Sequence, residues 1–108
     1  MTTEDMLAVV LIASETFDVP WFEILHGRDA PAVRARHASA WLGQYGLGLR
    51  VDQVAAALGL GADAIRYAVA KLEYTRRRES LFNQALHVAL RRAEGVRRAG
   101  MSAAPLAG

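Results

Sequence analysis

The side chains best suited to chemistry in this chain are its arginines, and the chemistry they suggest is the gripping of an anion. Of thirteen basic residues, twelve are arginine, the side chain that meets phosphates and guanine edges through two parallel hydrogen bonds. They are segregated. Residues 1–27 carry Glu4, Asp5, Glu15, Asp18 and Glu23 and no base, a net −5, whereas residues 28–108 carry all thirteen bases against six acids, a net +7. A GC-rich genome would account for an arginine-rich composition but not for the segregation, which predicts an acidic flank and a face built for an anion. Arg66 and Tyr67, with Lys71 one turn beyond, share a helical stretch, and there Arg66 suits a guanine and Lys71 a phosphate. A second cluster is Val33-Arg34-Ala35-Arg36-His37. Two arginines early in a helix oppose its dipole, a penalty that nearby phosphates would remove. For Arg34 the alternative is an ion pair with an acid of the first helix. Arg28, in the preceding loop, is placed to reach DNA backbone or a minor groove, and Arg50 to touch a phosphate. Arg76, Arg77 and Arg78 are consecutive and cannot all point one way.

Other chemistry has little to build on. There is no cysteine, so disulfides and thiolate metal sites are excluded and a reducing compartment is expected. His26, His37 and His87 show no metal-ligand spacing, and His37 is expected as a packed or surface side chain, not a catalyst. No glycine loop with its lysine cradles a phosphate, and no nucleophile elbow is present. The expectation is therefore a non-enzyme with no metal, no cofactor and no small-molecule substrate. No apolar run is long enough to span a membrane, and the opening Thr2-Thr3-Glu4-Asp5 is unlike a signal peptide. A cytoplasmic, nucleoid-associated protein follows.

The elements that must position these residues all read as helices. Met6, Val9, Val10, Ala13 and Phe17 form one stripe over residues 3–17. Val19-Pro20 breaks the helix, and Pro20 opens a short second one with Trp21, Phe22, Ile24 and Leu25 as core. Asp29 as N-cap and Pro31 in the first turn start a third helix over about 30–45, burying Ala38, Trp41, Leu42 and Tyr45. A short helix over 51–58, turning Val54, Ala55 and Leu58 inward, is joined through Gly59-Leu60-Gly61 to one running from Ala62 to about Tyr74, with Ile65, Ala68, Val69 and Leu72 buried. A last helix over 79–98 buries Phe82, Ala85, Leu86 and Ala89, and residues 99–108 read as a frayed tail. The expectation is one all-α domain, a bundle of about six helices. Its two short helices joined by glycines match a helix-turn-helix. In that motif the start of the second helix (Ala62, Asp63, Arg66 and Tyr67 here) meets base edges in the major groove.

The order of these elements over about residues 6–92 resembles the C-terminal DNA-binding domain of the bacterial chromosomal replication initiator, DnaA. Val33-Arg34-Ala35-Arg36-His37-Ala38 is similar to the family's V-R-A-R-Q-x stretch. Leu49 to Gly59 resembles L-S-L-P-E-I-x-x-x-F-G, with Val54, Leu58 and Gly59 in matching places. Ile65, Tyr67-Ala68-Val69 and Lys71-Leu72-Glu73 resemble V-L-H-A-V-x-K-I-E. The resemblance implies an all-α fold of the TrpR/DnaA domain IV type that binds double-stranded DNA. Where the family carries R-D-H-T-T-V, this chain has Leu60-Gly61-Ala62-Asp63-Ala64-Ile65, one residue shorter overall. The arginine, histidine and threonines that read the initiator's box are absent, and the basic loop before the third helix is two residues shorter. The resemblance does not extend to the initiator's ATPase domain. Stand-alone domains of this kind resemble bacterial and phage regulators, activators of gene transfer agents among them, which implies RNA polymerase or a partner regulator subunit as a partner.

The leading expectation is a sequence-selective regulator of transcription that binds double-stranded DNA. The alternative is a protein-interaction adaptor that keeps the fold without reading DNA, using the acidic first helix or the amphipathic last one. A third reading coats the nucleoid without sequence preference.

Overall fold

The computed structural model describes residues 2–107, with side chains from Glu4 to Gly100. Six helices follow in order: α1 Thr2–Phe17, α2 Trp21–His26, α3 Ala30–Tyr45, α4 Val51–Leu58, α5 Ala62–Arg78 and α6 Ser80–Ala107. No strand occurs among the described residues, so the protein is all-α, as its apolar periodicity predicts. Of the tail expected at 99–108, the part from Met101 onward lies outside the residues whose side chains are described.

Helix α3 is the hub, packing against all five others. It starts where Asp29 accepts the Ala32 N–H at 3.1 Å, with Pro31 in its first turn. Its buried face alternates small and large residues: Ala32, Ala35, Ala38, Ser39, Trp41 and Leu42. The alanines let neighbouring helix backbones approach closely, and Trp41 and Leu42 fill the space between them. One core cluster joins Met6 and Val9 of α1 to Leu42, Val54, Ile65, Leu72 and Leu86. A second, smaller one holds α2 to α1 and α3 through Val10, Ala13, Val19, Ile24, Ala32 and Ala35.

Helix α4 ends at Gly59, whose φ of 69° is left-handed and suits a residue without Cβ. Leu60 N–H reaches Ala55 O at 2.9 Å and Gly59 N–H reaches Ala56 O at 3.4 Å, a pair of bonds that satisfies the last carbonyls and turns the chain sharply. Gly61 then precedes α5. The three residues Gly59-Leu60-Gly61 thus set the angle between α4 and α5.

Three expected core residues lie elsewhere. Trp21 and Phe22 are 48% and 51% exposed and Tyr45 is 55% exposed. Helix α2 has only six residues and turns just Ile24 fully inward, so its first two aromatics pack edge to face on each other outside the core. Tyr45 sits at the end of α3 and lies on Trp41, which takes the buried position. Leu25, Leu58, Val69 and Ala85 are half-buried. Helix α5 also runs one turn beyond the expected Tyr74. There the i,i+3 and i,i+4 pairs from Glu73 to Arg76 and Arg77 support the helix.

Candidate nucleic-acid interface

Helix α5 positions the largest group of predicted site residues. Its inner side is fixed by Ile65, Ala68 and Leu72 in the core. Everything on the opposite arc is exposed: Asp63, Arg66, Tyr67, Ala70, Lys71, Tyr74, Arg77 and Arg78. Steps of three and four residues keep these side chains on one line, about 22 Å long from Asp63 to Arg78 at 1.5 Å per residue. The face therefore carries four cations, two tyrosines and a single acid.

The cations of this face are held in different ways. Arg66 reaches back to Asp63 at 2.9 Å, an ion pair between exposed side chains that adds little stability and opens easily. Lys71 and Arg78 have no carboxylate partner among the described residues and instead share one ring. Lys71 Nζ stands 5.5 Å from the Tyr74 centroid and the Arg78 guanidinium 4.2 Å from it. A ring between two cations attracts both through its quadrupole and leaves their hydrogen-bond donors unsatisfied by protein. Arg77 lies 3.7 Å from Glu73. Arg76 points the other way, to Glu73 at 3.1 Å and over Trp41. Trp41 Nε1 also donates to Glu73 at 2.7 Å. Burial pushes the Glu73 carboxyl up, but the hydrogen bonds from Arg76 and Trp41 outweigh it and hold the group below its usual range.

The basic stretch of α3 borders this face. His37 lines one hollow with Arg34 and Lys71 and another with Arg36 and Tyr67. Its ring meets Tyr67 edge-on at 6.0 Å. Burial, then the positive charges of Arg36 and Lys71, holds its pKa below the usual 6.5.

The two arginines of that stretch are engaged inside the molecule. Arg34 pairs with Glu79, at the junction of α5 and α6, through two hydrogen bonds of 3.0 and 3.1 Å. Its guanidinium also covers Phe82. The acid that answers Arg34 is thus Glu79 and not one from α1. Arg36 donates to Ile24 O at 2.7 Å and to Gly27 O. These are carbonyls at the end of α2, where the helix has no donors of its own and its dipole is negative. The dipole penalty that suggested phosphates near α3 is therefore relieved within the protein.

Arg50 precedes α4, where its N–H donates to Gln53 Oε1 and its side chain pairs with Asp52 at 3.1 Å. That contact holds the Asp52 carboxyl below its usual range. Arg28 stands exposed before Asp29 and makes no ion pair among the described residues. Ala62 and Asp63 form the first turn of α5, which has no side-chain cap. Thus Arg66, Tyr67 and Lys71 come together, joined by Tyr74, Arg77 and Arg78. Tyr74 is visible in sequence only as one more position on the outward arc, since its role depends on the cations one turn to either side.

The molecule is an all-α bundle with one long cationic and aromatic helix face and no described cluster of metal-ligating side chains. The chain matches no protein-family model, no curated protein and no solved structure.

Proposed function

We propose that the protein is a regulator of transcription that binds double-stranded DNA, with α4 and α5 acting as a helix-turn-helix. The observation that carries the reading is the outward face of α5, which carries Arg66, Tyr67, Lys71, Tyr74, Arg77 and Arg78 and a single acid. The major groove is about 12 Å wide, shorter than this face. A helix entering it start-first presents Ala62, Asp63, Arg66 and Tyr67 to base edges and leaves Lys71, Arg77 and Arg78 at the phosphates of the bordering strand. Opening the exposed Arg66–Asp63 pair frees a guanidinium for guanine. The resemblance to the initiator's C-terminal domain supports the same docking. The missing box-reading residues give this protein a different target. RNA polymerase or a partner regulator subunit, met in the nucleoid, completes the role.

Selection from random duplexes, followed by binding to the enriched duplex across a salt series, tests the proposal. The expected result is an enriched motif bound at least a thousandfold more tightly than unrelated duplex. Equal binding to every duplex would make the protein a nucleoid coat. Undetectable binding at low salt would remove the DNA role altogether.

A further inference from the structure

A different surface, on α1 and α2, combines exposed apolar side chains with unanswered negative charge. Glu4, Leu7, Leu11 and Glu15 follow one another at three- and four-residue steps, so they form one line down the outer side of α1, about 16 Å long. Leu7 is 51% and Leu11 44% exposed. The bond from Val19 N–H to Ser14 O closes the end of α1 at the left-handed Asp18, and α2 packs against α1. Leu25, near its end, lines the same apolar hollow as Leu7, with Leu58 of α4 closing it. Trp21 and Phe22, each half exposed, stand at the start of α2. Four large apolar side chains are thus uncovered within twenty-seven residues that contain no lysine or arginine. Of the five acids there, only Glu15 has a cation partner among the described residues, Arg92 at 3.0 Å.

We infer that this α1–α2 face is a docking surface for a basic amphipathic helix of a partner protein. The charge selects among occupants. Nucleic acid and anionic membrane surfaces are repelled by a flank whose acids, Glu15 apart, have no cation partner among the described residues. A polypeptide with lysine or arginine at both ends of an apolar stripe complements Glu4 at one end and Asp18 at the other, both exposed. The two leucines one turn apart, with Leu25 of α2 beside Leu7, offer the spacing that receives anchors at i, i+3 or i+4, and i+7. The cationic face of α5 takes no part in this surface, so a nucleic acid on α5 and a partner on α1–α2 do not compete for the same side chains.

The test is a selection of sixteen-residue peptides from a random phage-displayed library on the full chain, run in parallel on the L7D/L11D variant. Both positions are exposed, and circular dichroism verifies the variant's fold. E4K/D18N, which leaves the leucines in place, serves as a second variant. The expected winners are net positive with apolar residues at helical spacing. They bind the native chain at least tenfold more tightly than either variant, and less tightly as salt rises. Winners that are acidic or uncharged, or that bind the variants equally well, overturn the inference, as does the absence of any enriched family. So does self-association of the chain in sedimentation velocity that L7D/L11D abolishes, which would give the face to a second copy. Duplex binding by L7D/L11D at native affinity keeps this outcome separate from that of the DNA reading.

Discussion

Replacing Lys71 and Arg78 together with glutamine should lower the salt dependence of DNA binding without unfolding the protein. Four cations assigned to phosphates make no hydrogen bond to a carboxylate: Lys71 and Arg78, Arg77 at 3.7 Å from Glu73, and Arg28 in the loop before α3. Arg34 and Arg36 are occupied by Glu79 and by the carbonyls of Ile24 and Gly27, and Arg66 is assigned to a base edge. One phosphate per free cation gives a slope of log affinity against log salt of about −3.6, at roughly 0.9 per phosphate. Raising salt from about 50 to about 200 mM then weakens native binding ~150-fold. The K71Q/R78Q variant keeps two contacts, a slope of about −1.8 and a loss of only ~12-fold over the same range. Both side chains are exposed and make no hydrogen bond or ion pair among the described residues, so the melting temperature should barely move. Fluorescence anisotropy of a labelled duplex at five salt concentrations reads the slope. An unchanged slope in K71Q/R78Q, or a fall of the same size in R36Q, would refute the assignment of phosphate contacts to α5.

The other predictions separate reading, scaffold and titration. Arg66→Ala should relax preference at one base pair by about 1–3 kcal/mol; a repeat selection with the native motif intact would contradict this. Arg36→Ala leaves two carbonyls at the end of α2 without their charged donor and should cost about 1.5–3 kcal/mol in chemical denaturation, an effect lysine cannot restore because it lacks the fork. Glu79→Gln breaks a half-exposed ion pair, so it should cost no more than about 1 kcal/mol while leaving duplex affinity unchanged or slightly raised as Arg34 is released. His37, with its pKa below 6.5 in the folded protein, binds a proton more readily when unfolded. Stability should therefore fall as pH drops through the unfolded value and be restored toward a flat profile in His37→Gln. Titration of the His37 ring by NMR should show the lowered midpoint moving up on duplex binding, as phosphates offset Lys71; a midpoint that ignores DNA argues against docking beside it.

Local chemistry made most of the helices readable. Asp29 and Pro31 mark the start of α3, Gly59 demands the turn before α5, and apolar steps of three and four locate Met6, Val9, Ile65 and Leu72 in the core. Side chains at helix ends escaped, because periodicity says which way a residue points but not whether a neighbour covers it. Trp21, Phe22 and Tyr45 point toward partners that the bundle does not supply at those ends. The arginines were hardest, since their meaning lies in distant partners. Arg34 meets Glu79 forty-five residues later, and Arg36 meets backbone carbonyls that no sequence pattern reveals. Arg66, Tyr67 and Lys71 could be grouped because a single helix carries them. Arg77 and Arg78 joined them only because α5 continues past Tyr74 and keeps the same face turned outward.

Mapping amide chemical shifts as DNA is added to the labelled protein asks whether the outward face of α5 meets the duplex. The largest shifts are expected from Ala62 to Tyr74, with Arg28 and the adjoining His37 following and Leu7, Leu11 and Phe22 unmoved. Shifts centred on α1 and α2, or none at low salt, would contradict docking through α5.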